Sequence, residues 1–255
     1  ILNRLVPQNK MTSEYDFNGG LVGFATYDSM LHHTQEDCEI NLPAMQFDLY
    51  ETAIIYSHLT DEVIIIHNEI VRTYDEANVD EIIAQIFQGT KESTQAFDLQ
   101  PFESHTTDSE FSSYVQKAKQ YIEKGEAAQL FLTKRFSAKF SGCSFTMYRH
   151  LRKELPAPNM FYFEYPDFTI MGVAPDSIIK VKGKQVFVKP VTGARPRGVT
   201  PREDVKMELT LLQNAREVKA HNMLVDSTMA DLEEICMGGT IHLVDYMKPM
   251  QFKHS

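Results

Sequence analysis

No apolar run in this chain is longer than a β-strand. The longest lies around Val63–Ile66, far short of the roughly 18 residues a membrane-spanning helix needs. Hydrophobic residues still make up 43% of the 255 positions, enough for one large domain or two modest ones. That apolar content must be buried by many short elements packed together. Twenty-five Lys and Arg stand against 35 Asp and Glu, a formal net charge of −10, which makes a phosphate backbone a poor partner. Neither nucleic acid nor membrane is expected to bind. Cys38, Cys143 and Cys236 are far apart, odd in number and outside any CxxC spacing. A reducing compartment, the cytoplasm, is therefore expected rather than a disulfide framework or a zinc site. The chain starts at Ile1 with no signal-peptide pattern behind it, so it is expected to begin inside a longer gene product.

The first hundred residues read as strands and loops. A glycine-punctuated strand covers Gly19–Asp28, and short apolar runs follow at Met45–Tyr50, Ala53–Tyr56 and Glu62–His67. Such spacing predicts antiparallel pairing. Asp80–Phe87 predicts a short helix, and Gly89–Thr107 has the composition of a loop or linker. Residues 1–107 are thus read as a mainly β part with its linker. From Thr107 the pattern changes: Thr107 and Glu110 have capping-box spacing, and Phe111, Val115, Ala118 and Ile122 recur at helical intervals. Strands are predicted at Gln129–Phe136, Met160–Tyr165, Thr169–Val173, Ser177–Val181 and Gln185–Val191, the last two joined by Lys182-Gly183-Lys184. Phe145–Glu154 is helical and stops before Pro156. Glu203–Cys236 is the longest helical pattern, with a break near Asn214 or after Asp226. The fold class is α+β.

Chemistry concentrates in Lys189–Gly198, KPVTGARPRG. A strand feeds a loop with two glycines, two prolines and two arginines. Glycine lets backbone N–H groups approach a ligand, and arginine favours carboxylate or phosphate. A surface turn whose arginines pair with Asp204 and Glu203 fits the same residues. The loop lacks the glycine spacing and Lys-Ser/Thr ending of a phosphate-binding loop. His221 falls with Val218 and Val225 on one helix face, either as a core histidine or as an acid–base group. The His32-His33 pair lacks further ligands at metal-binding spacing. The Asp231–Glu234 run reads as a solvated helix end.

Taken in order, five passages resemble the chorismate-utilising enzymes, closest to anthranilate synthase component I and its sister aminodeoxychorismate synthase component I. They are FNGGLVGFATYD (Phe17–Asp28), YIEKGEAAQLFLTKRF (Tyr121–Phe136), LPAPNMFYFEYPDFTIMGVAPD (Leu155–Asp176), PVTGARPRG (Pro190–Gly198) and LLQNAREVKAHNMLVDSTMAD (Leu211–Asp231). The resemblance implies an antiparallel two-sheet core with flanking helices, in which residues 108–255 form the N-terminal portion of a chorismate-binding domain. It also implies that family segments lie before Ile1 and beyond Ser255. Gly193 and Ala194 match a Gly-Thr pair that contacts chorismate. Thr192 stands where aminodeoxychorismate synthases commonly carry an attacking lysine, and Gln129 where isochorismate and salicylate synthases carry a water-activating lysine. With neither amine present, ammonia is the implied nucleophile, leaving Lys134 or Lys189 as competing sources of an attacking amine. His221 and Thr192 are the implied catalytic positions. Pro158, Asn159 and Met160 match a trio that holds inhibitory tryptophan.

The activity implied is amination of chorismate followed by loss of pyruvate to give anthranilate, in tryptophan biosynthesis. Ammonia would come from a glutamine amidotransferase, component II. Mg2+ is the implied cofactor, gripping the ring carboxylate. Here the family's metal-binding glutamate is replaced by Ala220, so the resemblance assigns no metal ligand in this chain. A chorismate- or tryptophan-binding relative without turnover is the alternative that Ala220 favours.

Overall fold

Every strand pair is antiparallel among the residues that the computed structural model describes: 15, 17–30, 42–68, 79–89, 95–174 and 177–255. His32, His33 and Cys38 lie outside them. The chain divides into two units, Ile1–Glu92 and Ser93–Ser255.

In the first unit β1 (Gly20–Ala25) pairs with β2 (Met45–Tyr50), and β3 (Thr52–Ser57) with β4 (Glu62–His67). Asn68 joins the two ladders, donating from Nδ2 to the carbonyls of Glu51 (3.3 Å) and Asn18. Ala53 on β3 is buried. Helix α1 (Val79–Gln88) covers the predicted helix and extends it by a residue at each end.

The second unit holds the remaining elements. Helix α2 (Asp108–Glu123) starts on the expected capping box, with Thr107 and Glu110 satisfying each other's backbone N–H groups. Helix α3 (Ser144–Glu154) lies against the hairpin of β9 (Asn159–Glu164) and β10 (Thr169–Ala174). Tyr162 on β9 meets Phe145 and Tyr148 of α3, and its hydroxyl bonds to Ser144 at 2.8 Å. On the opposite face Phe161 lies over Gly172 so closely that a Cβ there would sit 2.3 Å from the ring. A second hairpin, β11 (Ile179–Lys182) and β12 (Gln185–Val188), turns at Gly183 with φ +62°. Helices α4 (Pro201–Leu212) and α5 (Ala215–Ile235) complete the unit. The long helical pattern breaks at Asn214, whose side chain caps α5 by accepting from the N–H groups of Arg216 and Glu217.

The class is α+β with antiparallel strands, as expected, and the described strands form six two-stranded ladders. Two local expectations fail. Of Gln129–Phe136, only Phe136 enters a strand: β7 (Phe136–Ser137), paired with β6 (Glu103–Ser104). Residues 129–135 have the composition of a strand but no ladder partner among the described residues, and Phe131 is 81% exposed. Conversely, the Ser- and Thr-rich 89–107 stretch contains both β6 and β5 (Phe97–Leu99), which pairs with β8 (Phe140–Gly142). Elements of two and three residues leave no period to read. No described helix is long and apolar enough to cross a membrane.

Candidate active site

Strand β12 delivers the chain into the 189–198 loop, which has no regular secondary structure. Gly193 takes φ +78°, and a Cβ on it would lie 3.0 Å from both Glu217 Oε2 and Leu211 Cδ1. The loop therefore rests on α4 and α5 at a distance only glycine permits. Its two arginines then diverge. Arg197 grips Asp204 through Nε, at 2.9 Å and 3.0 Å from the two carboxylate oxygens, and again through Nη2. The same residue donates from Nη1 to the Phe252 carbonyl (2.7 Å) and from its backbone N–H to that of His254 (3.2 Å). The Arg197 hydrogen bonds, followed by the Gly198 N–H at 2.7 Å, hold the Asp204 carboxyl down to about 2. The guanidinium is correspondingly raised. Arg195 Nη1 donates instead to the Ala194 carbonyl (2.7 Å) and to Glu217 Oε1 (3.3 Å). Glu203, the other carboxylate expected to pair with an arginine, turns back to the N–H groups of Val199 (2.9 Å) and Thr200 (3.2 Å) and closes the α4 capping box.

A cavity of about 1350 Å³ opens between this loop, β12, the His221 face of α5 and the 240–252 segment. Thr192, Gly193, Ala194 and His221 all line it. Val225, the buried residue of α5, lies on its wall, as do half-buried Val218 and Leu211. The apolar helix face therefore meets the hairpin across a cavity. The Tyr246 ring lies 6.0 Å from the His221 imidazole, and its hydroxyl donates to Asn222 Oδ1 at 2.5 Å. Neither the Thr192 hydroxyl nor the His221 ring has a hydrogen-bond partner among the described residues. Of the two lysines considered as amines, Lys189 lines the cavity, whereas Lys134 is held by Asp108 at 2.6 Å, outside its lining. Pro158, Asn159 and Met160 stand at the start of β9, and Gln129 is exposed; none of the four borders the cavity.

Glu217 is the residue that sequence reading passed over. It precedes His221 by four positions and so shares its helix face, which was the available signal. A divalent cation such as Mg2+ needs several oxygen ligands; the carboxylates lining the cavity are Asp204, Glu208, Glu217 and Asp245. Ala220 has only a methyl group, Glu217 is taken by Arg195 and Asp204 by Arg197. Among the described residues no three His, Cys, Asp or Glu side chains converge as a metal site requires.

A glycine-arginine loop facing a helix-borne histidine across a cavity is a candidate small-molecule site. The chain belongs to the family of chorismate binding enzymes, whose pattern matches residues 2–254. It is 31% identical over 268 residues to anthranilate synthase component 1 of Lactococcus lactis subsp. lactis, covering 99% of this chain and 58% of that protein. It is 29% identical over 251 residues to aminodeoxychorismate synthase component 1 of Bacillus subtilis, covering 94% of this chain and 53% of that protein. The fold is that of the crystal structure of anthranilate synthase component I from Streptococcus pneumoniae TIGR4, with a TM-score of 0.86, 24% identity and coverage of 99% of this chain and 59% of the other. The chain thus spans little more than half the length of these relatives.

Proposed function

We propose that this chain is part of an anthranilate synthase component I, converting chorismate and ammonia to anthranilate and pyruvate with a component II amidotransferase as the ammonia source. What carries the reading is the presence of Thr192, Gly193, Ala194 and His221 around one cavity, with a hydroxyl rather than an amine at position 192. Thr192 cannot supply an attacking nitrogen, so ammonia forms the C–N bond to the ring directly. The ring double bonds shift, and the ring hydroxyl leaves as water after taking a proton from a general acid. Breakage of the enolpyruvyl C–O bond, with loss of a ring proton, then releases pyruvate and leaves the aromatic product. His221 is the group we assign to proton transfer. Gly193 and Ala194 offer backbone contact to the substrate, with backbone N–H groups as the donors suited to a carboxylate.

The second reading is the sister activity, favoured by the Bacillus subtilis relative and by Lys189 on the cavity wall. Supplying the full-length protein with chorismate and ammonium and identifying the product separates the two. Anthranilate is expected; aminodeoxychorismate without anthranilate would make the sister enzyme the right assignment. Binding of chorismate with no product under any nitrogen source would favour the non-catalytic relative that Ala220 suggests. Pro158, Asn159 and Met160 remain our proposed tryptophan contacts, to be read from the tryptophan affinity of an Asn159→Ala variant.

A further inference from the structure

A histidine that moves protons is ordinarily oriented by the hydrogen bond that its second ring nitrogen makes to a carboxylate or a carbonyl. His221 has no such bond among the described residues. Its defined neighbour is a ring, that of Tyr246, with centroids 6.0 Å apart and planes inclined at 44°. That ring is itself tied down: the Tyr246 hydroxyl donates at 2.5 Å to Oδ1 of Asn222, the residue after His221 on α5. Tyr246 is half exposed, so packing alone does not fix it and the tether to Asn222 does. The turn that carries it is closed on the solvent side, where Lys248 Nζ donates to both Asp245 oxygens at 3.3 Å and 3.2 Å. Within the turn Met247 takes φ +51°, a region that a residue with a Cβ enters only where its surroundings hold it. Asp245 and Met247 line the cavity, whereas Tyr246 between them does not. The turn therefore gives its two flanking residues to the cavity and its middle one to the helix that bears His221.

We propose that Tyr246 is a positioning residue for His221. Fixed on Asn222, its ring does for the imidazole what a hydrogen-bonded carboxylate does elsewhere: it limits the rotation of the histidine side chain. It does so without occupying either ring nitrogen. Tyr246 acts through the histidine and does not itself border the cavity. The functional consequence rests on the reading of His221 as the proton-transfer group, whereas the ring contact can be tested without it.

The test compares Tyr246→Leu, Tyr246→Phe, Asn222→Ala and the paired Tyr246→Phe/Asn222→Ala variant in the full-length protein. Order of the His221 ring is read by NMR relaxation of labelled histidine side chains, and kcat and KM from product formation with chorismate and ammonium. Tyr246→Leu, which removes the ring, is expected to disorder His221 and to lower kcat on the order of tenfold. KM for chorismate should move by less than about twofold, because a misdirected acid slows proton transfer and leaves substrate binding intact. Tyr246→Phe keeps the ring and loses the tether, so it should fall between Tyr246→Leu and the unsubstituted protein. Asn222→Ala should match Tyr246→Phe, and the paired variant should be no slower than the worse single one, because the tether is one bond with two ends. A lower Tm with unchanged ring order and unchanged kcat would make the tyrosine merely structural and overturn the proposal, as would additive losses in the paired variant. Should Tyr246→Leu not fold, Tyr246→Phe and Asn222→Ala carry the same test. If the unsubstituted protein makes no product from chorismate, the functional reading falls, and ring order still decides whether Tyr246 holds His221.

Discussion

At the scale of single residues, the loop's two arginines do different work. Arg197 is a structural clasp: it binds Asp204 at one end and the carbonyls of Phe252 and His254 at the other. The Asp204 carboxyl is ionised in the fold down to about 2, whereas an unfolded aspartate titrates near about 4. A depressed carboxyl contributes stability that is fully present above the unfolded value and is lost as pH falls through the folded one. Asp204→Asn should therefore lower Tm at neutral pH and flatten its pH dependence between about pH 4 and pH 2. Thermal melts of the two proteins across that window would check this, and parallel curves would count against the clasp. Gly193 tests the other arm. Alanine there must take a left-handed backbone, at a cost of roughly 1–2 kcal/mol, and must push aside Glu217 Oε2 or Leu211 Cδ1. Gly193→Ala should destabilise the fold by at least about 1 kcal/mol in urea and weaken chorismate binding, while alanine at the exposed turn Gly183 should cost stability without touching binding.

Among elements, the boundary that matters most to the site is the break between α4 and α5. It separates Leu211 on α4 from Glu217 on α5, the two side chains against which Gly193 is seated. Asn214 marks that break through a side-chain cap. Asn214→Ala should cost about 1 kcal/mol, seen as a lower urea midpoint at unchanged m-value; a midpoint equal to that of the unsubstituted chain would show that packing alone sets the helix start. The Thr107–Glu110 box was legible in sequence because a cap is a local device, written within four residues, whereas the helix break had two candidate places, near Asn214 and after Asp226. The Lys182–Lys184 turn was legible for the same reason. What could not be read was pairing between distant, very short segments: Phe97 with Gly142, or Ser104 with Phe136. The reverse error came at Leu130–Leu132, where an apolar run suggested a strand that finds no neighbour among the described residues. The site divided along the same line. Thr192, Gly193, Ala194 and His221 are expected from motif order and line one cavity, whereas Glu217 stands out only through its contact with Gly193.

For the whole molecule, the notable quantity is surface. Ala53 and Val225 are the buried apolar residues among those described, while Phe87, Phe131, Ile178 and Val244 are each more than four-fifths exposed. Across the described strands and helices most apolar side chains are left half-buried or exposed. Unfolding therefore uncovers less new surface than it does for a closed globule of equal length. The urea m-value scales with the area exposed on unfolding, so the chain should unfold with an m-value below that expected for its length. The heat-capacity change should fall in the same direction, because it too tracks apolar exposure. Urea titration followed by circular dichroism and by tyrosine fluorescence gives the measurement, and coincidence of the two probes checks that the transition is two-state. An m-value at the full expected size would mean that these 255 residues close their apolar faces upon themselves in solution. A reduced value would instead mean that the cavity of about 1350 Å³ beside His221 is walled by elements that retain apolar surface to bury, and that ligand binding there has packing energy still to gain.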